Sequence, residues 1–132
     1  MKNLMAIKIF RKLATEKDHL NQCLAYMTKL KFFVWRNNSG FGKYQNKDGS
    51  TRYVKFGFNG MPDILGFIPV TNSYNKTTRA IPVYWEVKKI GGKASNSQRQ
   101  FISIAQESGC FAGIGTFDDL VEKLKVLRGS KK

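Results

Sequence analysis

Acidic residues are scarce in this sequence. Its 132 residues include only nine Asp and Glu but 23 Lys and Arg, which gives a formal net charge of +14. A charge excess of this size repels itself and destabilises the compact state unless a polyanion neutralises it. Nucleic acid is the polyanion that this balance favours, and a basic protein that is merely soluble or associated with ribosomes is the alternative.

Cysteine and long apolar runs are also rare. The two cysteines, Cys23 and Cys110, are far apart and form no Cys-x-x-Cys pair, so we expect neither a zinc cluster nor a disulfide framework. Two free thiols fit a reducing cytosol. No apolar run approaches the roughly 20 residues that a membrane span requires. Lys and Arg interrupt the apolar residues within 1–18, which suits a signal peptide poorly and predicts a helix or strand lead-in.

Hydrophobic periodicity predicts an α/β domain. Apolar residues at three-to-four spacing and capping residues predict helices over 15–30, 96–108 and 118–127. Runs of β-branched and aromatic residues predict strands over 31–36, 51–58, 63–70, 81–89 and 110–117. The stretches 37–50 and 71–80 are rich in turn formers and are predicted to be polar turns, with Asp48-Gly49 able to close a hairpin. This order predicts helices packed on a mixed sheet.

Two of the few acidic residues stand alone in long basic or neutral stretches. No Asp or Glu occurs between Asp63 and Glu86, and none follows Glu86 until Glu107. An isolated acid on a surface that binds phosphate would oppose that binding. A bound divalent cation would remove the conflict, because it reverses the local charge balance.

The alternation of side chains along a strand defines a candidate site. Glu86 and Lys88 share one face of their predicted strand, and Val87 points to the other. If the strand that begins at Asp63 pairs with this one, two carboxylates and an amine converge at one edge of the sheet. Mg²⁺ prefers oxygen ligands and usually takes one or two carboxylates, waters and substrate phosphate. The pattern therefore predicts a hydrolytic site for Mg²⁺ or Mn²⁺, with the Val87 carbonyl as a further ligand.

Simpler interpretations of these residues remain open. Asp63, which follows a proline, is also typical of a turn. Glu86 and Lys88 would equally suit a salt bridge on an exposed strand.

Five segments, in order, resemble one nuclease family. "GMPDILGF" and "YWEVKK" resemble the PD…ExK core of the restriction-endonuclease-like nucleases. "TEKDHLNQCLAYM", "VWRNNSG" and "SQRQF" followed by "SGC" resemble the VRR-NUC branch in particular. The resemblance covers roughly residues 15–117. This branch includes small stand-alone phage and bacterial nucleases that are similar to Holliday-junction resolvases.

The resemblance implies a fold and an activity. The expected fold is a restriction-endonuclease-like αβββαβ core in which helices flank a mixed central sheet. Residues 1–132 would form a single nuclease domain, with the core over 15–117, a C-terminal helix over 118–127 and a basic tail over 128–132. The implied activity is metal-dependent, structure-selective cleavage of DNA, such as a Holliday junction, by a homodimer in the cytoplasm of a bacterial host.

The resemblance also implies roles for single residues. Lys88 would act on the attacking water, and Gln98 on the following helix would orient water or phosphate. The metal would be held by oxygen atoms of Asp63, Glu86, Val87 and Glu16, the last directly or through a water. A helix N-terminus favours Glu16 for dipole reasons alone, and Gln98 would also be an ordinary polar helix residue.

Basic and amide side chains near these residues are candidates for the nucleic-acid backbone, and a solvated surface is the alternative interpretation. They are Arg36, Asn37, Asn38, Lys43, Lys89, Lys93 and Arg99. Two other functions share the basic surface and stay open: a non-catalytic nucleic-acid-binding module on the same fold, and an RNA-processing nuclease.

Overall fold

Helices and strands alternate along the chain in the order that the α/β prediction requires. The structure is a computed structural model that describes residues 13–38 and 40–129. The helices are α1 (Glu16–Lys29), α2 (Asn96–Glu107) and α3 (Phe117–Gly129). The strands are β1 (Phe33–Arg36), β2 (Gly40–Gln45), β3 (Thr51–Phe56), β4 (Ile64–Thr71), β5 (Thr78–Val87) and β6 (Phe111–Gly115). The predicted lead-in over residues 1–12 and the end of the predicted tail, 130–132, lie outside the described residues.

Four of the strands form one mixed sheet in the order β1-β4-β5-β6. β4 runs antiparallel to both β1 and β5, whereas β5 and β6 are parallel. The connection between the two parallel strands passes through α2, as a parallel crossover requires. This mixed sheet with flanking helices confirms the predicted restriction-endonuclease-like fold class.

The core lies on both faces of the sheet. On one face, apolar side chains of α1 and α3 pack against β4, β5 and β6, with Met27, Trp85 and Leu120 fully buried. On the other face, Ile102 and Ala105 of α2 pack against β6. Because α2 covers only the β5 and β6 side of that face, the β1 and β4 side is less protected from solvent.

Local capping signals in the sequence match the helix ends. Thr15 and Asp18 form a reciprocal capping box at the start of α1, as the predicted helix start requires. Gly109 has a φ of +89° just after α2, a conformation that favours glycine and ends the helix. These signals act within a few residues, so the sequence alone predicts them well.

The largest difference from prediction lies in residues 37–50. Gly40–Gln45 were predicted to be part of a polar turn, but they form β2, which pairs with β3 in a separate two-stranded sheet. Similarly, β5 begins at Thr78, inside the predicted turn over 71–80. Strand propensity depends strongly on context. Here β2 is a strand because it forms hydrogen bonds with the antiparallel β3, a pairing that the turn-forming residues of β2 do not predict.

Their large apolar rings favour the core for both tryptophans over a role in base stacking. Trp85 is 1% exposed, which confirms this prediction, whereas Trp35 is 52% exposed, so the prediction is wrong for Trp35. Trp35 lies on the edge strand β1, on the same face of the sheet as α2 but beyond the strands that α2 covers. Burial at this position depends on which helix covers the strand, and that is a property of the tertiary structure.

Candidate active site

The register between β4 and β5 brings the two isolated acids together. Ile64 lies opposite Trp85, so Asp63, directly before β4, comes opposite Glu86. Asn37 fixes this end of the sheet, because its backbone N–H donates to the Asp63 carbonyl at 2.7 Å and its side-chain amide donates to the Pro62 carbonyl at 3.1 Å. The strand pairing on which the site prediction depended is therefore present.

Glu86 is a buried carboxyl group with one unpartnered oxygen. The residue is 2% exposed, and its Oε1 accepts a hydrogen bond from Gln98 Nε2 at 3.0 Å. Its Oε2 is also buried and has no hydrogen-bond partner among the described residues. A buried polar atom of this kind is rare in proteins and calls for a proton or a bound ion to satisfy it.

The surroundings of Glu86 favour its protonated form when no cation is present. Burial, followed by the neighbouring Asp63 carboxyl, raises the pKa of the Glu86 carboxyl to about 9. The charge of Lys88 lowers this pKa and that of Glu16 raises it, and both are smaller effects. Four charged groups from three segments therefore act on one another at this end of the sheet.

Asp63 is held by the backbone of the neighbouring strand. Its Oδ2 accepts a hydrogen bond from the Val87 N–H at 2.9 Å. A hydrogen bond from a backbone N–H to a carboxylate is charge-assisted and stronger than one between neutral groups. The half-buried Asp63 is thus an acceptor with a defined orientation, and the interpretation of Asp63 as a simple turn acid does not account for this long-range contact.

Lys88 extends the sheet by one residue beyond β5. Its backbone N–H donates to the Gly115 carbonyl at 2.9 Å, which holds the residue alongside the end of β6. Within the described part of the chain, the half-buried Lys88 side chain forms no direct ion pair with Glu86. The salt-bridge interpretation of this pair is therefore not supported, and the amine is left to act on another partner.

Both ends of the Gln98 amide are engaged. Its Oε1 accepts from the Ser95 N–H at 2.8 Å, and Ser95 Oγ accepts from the Gln98 N–H at 3.2 Å, which together form the capping box of α2. Its Nε2 is the donor to Glu86. Gln98 therefore links the start of α2 to the buried carboxyl group, which the sequence alone did not indicate.

A cavity of about 300 Å³ opens beside Asp63 and Val87. Two acids, two cations and two apolar residues line it: Glu16, Asp63, Lys17, Arg36, Leu20 and Val87. Lys17 was not predicted from the sequence, and Arg36 was predicted only as a contact to the nucleic-acid backbone. Their positive charges suit the entry of a phosphate group.

The donor set fits a hard divalent cation. Two adjacent carboxylates, Asp63 and Glu86, and the carbonyl of Val87 are the oxygen ligands that Mg²⁺ accepts. Among residues 13–38 and 40–129, no three His, Cys, Asp or Glu side chains are grouped so that they could hold a metal ion by themselves. Glu16 lies at the same cavity, exposed on the first turn of α1. The unpartnered Oε2 of Glu86 is the atom that most requires such a cation.

The predicted backbone contacts fall into two groups. Asn37 and Arg99 already have partners, since Arg99 Nη1 donates to the Ala94 carbonyl at 2.7 Å and Arg99 Nη2 donates to Asn96 Oδ1. The exposed members are Arg36, Asn38, Lys43, Lys89 and Lys93. The first group has a structural role near the site, and the second group is accessible to a nucleic acid.

Residues 36–116 match the VRR-NUC domain. The match covers more than half of the chain and contains Asp63, Glu86, Lys88 and Gln98. The chain belongs to the VRR-NUC nuclease family. It is therefore a nuclease, a hydrolase whose substrate is nucleic acid. Glu16 lies outside the matched segment.

Other comparisons add no relative. Neither the curated proteins nor the solved structures gave a match. A membrane span would need a long apolar helix, and none of the helices in the described ranges has that length and hydropathy.

Proposed function

We propose that this nuclease is a metal-dependent endonuclease that hydrolyses phosphodiester bonds of DNA, with branched DNA such as Holliday junctions as its substrate. The observation that supports it most is the buried Glu86, which has one unpartnered oxygen and whose carboxyl group is close enough to that of Asp63 to interact with it. A protein that only binds nucleic acid gains nothing from two acids facing phosphate. An enzyme that binds a cation at this position needs both acids as ligands.

The chain would hold Mg²⁺ or Mn²⁺ through Asp63, Glu86 and the Val87 carbonyl, and Glu16 would act across the cavity through a water. When bound, such an ion polarises a phosphoryl oxygen and lowers the pKa of a water. The buried position of Glu86 holds its carboxyl group rigidly, which favours a defined ligand geometry.

The side chains supply the rest of the chemistry. The Lys88 amine, on the same strand as Glu86, is available to hold the attacking water or to stabilise the negative charge that develops on the phosphoryl oxygens. The water oxygen forms a bond to phosphorus while the ester bond to the leaving oxygen breaks, and the leaving oxygen takes up a proton. Lys17 and Arg36 at the cavity rim would orient the substrate phosphate.

A nicking assay tests the proposed function. Wild-type protein should cut branched DNA in Mg²⁺ or Mn²⁺, cut linear duplex and single strands of the same sequence more slowly, and cut nothing in EDTA. Cleavage that is equally fast in EDTA would refute the metal requirement, and equal rates on all substrates would refute structure selectivity. Binding without cleavage under every metal condition would instead favour the non-catalytic module, and cleavage confined to RNA would favour the RNA-processing nuclease.

Gln98 is expected to position Glu86. Gln98→Ala removes the hydrogen bond to Glu86 and one half of the capping box, so the cleavage rate should fall by about tenfold or more. Ser95→Ala is the matched control, because it removes the other half of the capping box but leaves the Glu86 contact. It should lower stability by about 1 kcal/mol and change the rate less than threefold. Equal rate losses in both variants would show that Gln98 serves only the helix.

We further propose a homodimer. A junction offers two equivalent strands, which a twofold dimer with two sites would cut symmetrically. An exposed aromatic surface on β1 and β4 supports an association between copies, since Phe33 and Phe67 stack at 5.2 Å and are 59% and 37% exposed beside Trp35. Sedimentation velocity of wild type and Trp35→Lys tests this. A wild type that stays monomeric at micromolar concentration would refute it.

The proposed compartment is the cytoplasm of a bacterial host. Cys23 and Cys110 are both free, and burial raises the pKa of the Cys23 thiol to about 12, so this thiol is unreactive. Fractionation of host cells tests the proposal, and recovery of the protein from an oxidising compartment would refute it.

A further inference from the structure

β2 and β3 form a ribbon that stands apart from the main sheet. This ribbon, Gly40–Phe56, is a two-stranded antiparallel sheet, and neither strand pairs with the four-stranded sheet. Its tip is well ordered by hydrogen bonds, with the Asn46 N–H donating to the Ser50 carbonyl at 2.7 Å and Gly49 at a φ of +88°. An isolated two-stranded sheet is at best marginally stable in water, so this ribbon needs an external partner or a firm base.

The segments that flank the ribbon lie at or near the active site. The chain enters it from Arg36 and Asn37, next to the site cavity. It leaves through Phe58, whose ring lies 5.7 Å from the ring of Phe101 on α2. At Gly60 the backbone approaches Ser97 so closely that a Cβ atom would lie 2.5 Å from the Ser97 carbonyl oxygen. The ribbon therefore lies between the segment that lines the site cavity and the segment that packs on α2.

Both faces of the ribbon carry exposed cations beside aromatic rings. On one face Lys43 lies opposite Tyr53, and Lys55 lies two residues further along the same side. Tyr53 is 67% exposed. On the other face the guanidinium of Arg52 lies 5.6 Å from the centre of the Tyr44 ring. These cations and rings are exposed to solvent on both faces, whereas Val54 is half-buried.

The charge of the ribbon is almost all of one sign. Between residues 40 and 56 there are four basic residues and a single acid, Asp48. That acid belongs to the turn, because its Oδ1 accepts from both the N–H and the hydroxyl group of Ser50 at 2.9 and 2.5 Å. Apart from this turn acid, the charged side chains of the two strands are all positive, so both faces attract phosphate.

We propose that the ribbon lies in the major groove of a DNA duplex next to the phosphodiester that the site cuts, an inference that rests on the proposed function. The major groove of B-DNA is wide enough for a two-stranded β-ribbon. A ribbon within it has a phosphate strand on either side, so Lys43 and Lys55 reach one strand and Arg52 the other. Its strands are about 20 Å long, which spans about six base pairs.

The same geometry selects the substrate class. The major groove of A-form RNA is deep and narrow and does not admit side chains. A single strand has no groove at all. The ribbon therefore assigns this nuclease to DNA with a duplex arm beside the cut, rather than to double-stranded RNA.

Binding measurements on three nucleic acids test whether the ribbon recognises a DNA duplex. The full chain, in EDTA, is titrated into a labelled 20-base-pair DNA duplex, the matching RNA duplex and a single strand at several salt concentrations. Wild type should bind the DNA duplex at least about tenfold more tightly than the RNA duplex. Lys43→Ala with Lys55→Ala should weaken DNA duplex binding about tenfold, lower the salt slope by about 1.8 and change the other two affinities less than threefold.

Two further variants serve as controls. Lys76→Ala with Arg79→Ala removes the same charge from the far end of β4 and β5 and should change DNA duplex binding less than threefold. Lys43→Arg with Lys55→Arg should restore it, which excludes misfolding as the cause. Equal losses in the ribbon and control variants, losses shared by all three nucleic acids, or a wild type that prefers the RNA duplex would overturn the proposal.

Cleavage measurements distinguish a failure of the ribbon proposal from a failure of the proposed nuclease function. If wild type cuts DNA but the ribbon variants bind duplex normally, the ribbon proposal is wrong and the proposed function stands. If wild type binds no nucleic acid, both are wrong.

Discussion

Replacing Lys88 with alanine should lower the single-turnover rate of DNA cleavage by about 10²–10³-fold. The reason is that its amine is the one cation on the face of the strand that carries Glu86, and a preorganised cation at a developing negative charge contributes on this scale. DNA affinity in EDTA should change less than threefold, because one charge among 23 basic residues contributes little to the total. Rapid quench on a branched substrate at saturating protein, together with binding measurements, checks both parts.

Lys89 provides the matched control, since it carries the same charge one residue later and is exposed. Lys89→Ala should change the single-turnover rate less than threefold, with any effect confined to affinity. Asp63→Asn and Glu86→Gln should lose as much activity as Lys88→Ala or more. Near-wild-type cleavage by either carboxyl variant would show that Asp63 and Glu86 do not form the catalytic site.

Replacing Glu86 with glutamine should make the metal-free protein more stable, and increasingly so as the pH rises. The Glu86 carboxyl has an unfolded-state pKa near 4.5 and a folded-state pKa of about 9, so the folded protein binds this proton more tightly. The stability of the protonated form is fully present below pH 4.5 and is lost as pH rises towards 9. Between pH 6 and 8 wild type should lose on the order of 2–3 kcal/mol relative to Glu86→Gln.

Urea unfolding in EDTA at several pH values measures this difference. The pKa values of Asp18 and Asp48 are lowered below the ordinary value by hydrogen bonds from Thr15 and Ser50, so these groups titrate outside the window. Added Mg²⁺ should stabilise wild type at pH 8 and leave Glu86→Gln almost unchanged. A pH-independent difference between the two proteins would show that Glu86 is not buried as a neutral group.

Sequence patterns predict the side of a strand on which a residue lies better than they predict whether that side is covered. Glu86 and Lys88 lie two residues apart, and strand alternation alone places them on the same side. Trp35 also lies on a strand, but whether its side is covered depends on the reach of α2, which no local pattern encodes. The same reason explains why β2 was missed: its glycines and polar residues have low strand propensity, and only the pairing with β3 makes it a strand.

By itself, the sequence determined the helix ends and the face on which each strand residue lies, because capping and alternation act within a few positions. It also determined the basic charge that points to nucleic acid. The tertiary structure alone decided that Glu86 is buried with one oxygen unpartnered, that Gln98 reaches it, and that β2 and β3 pair apart from the main sheet. These depend on contacts between residues far apart in the chain, whose partners are selected by packing and not by local propensity.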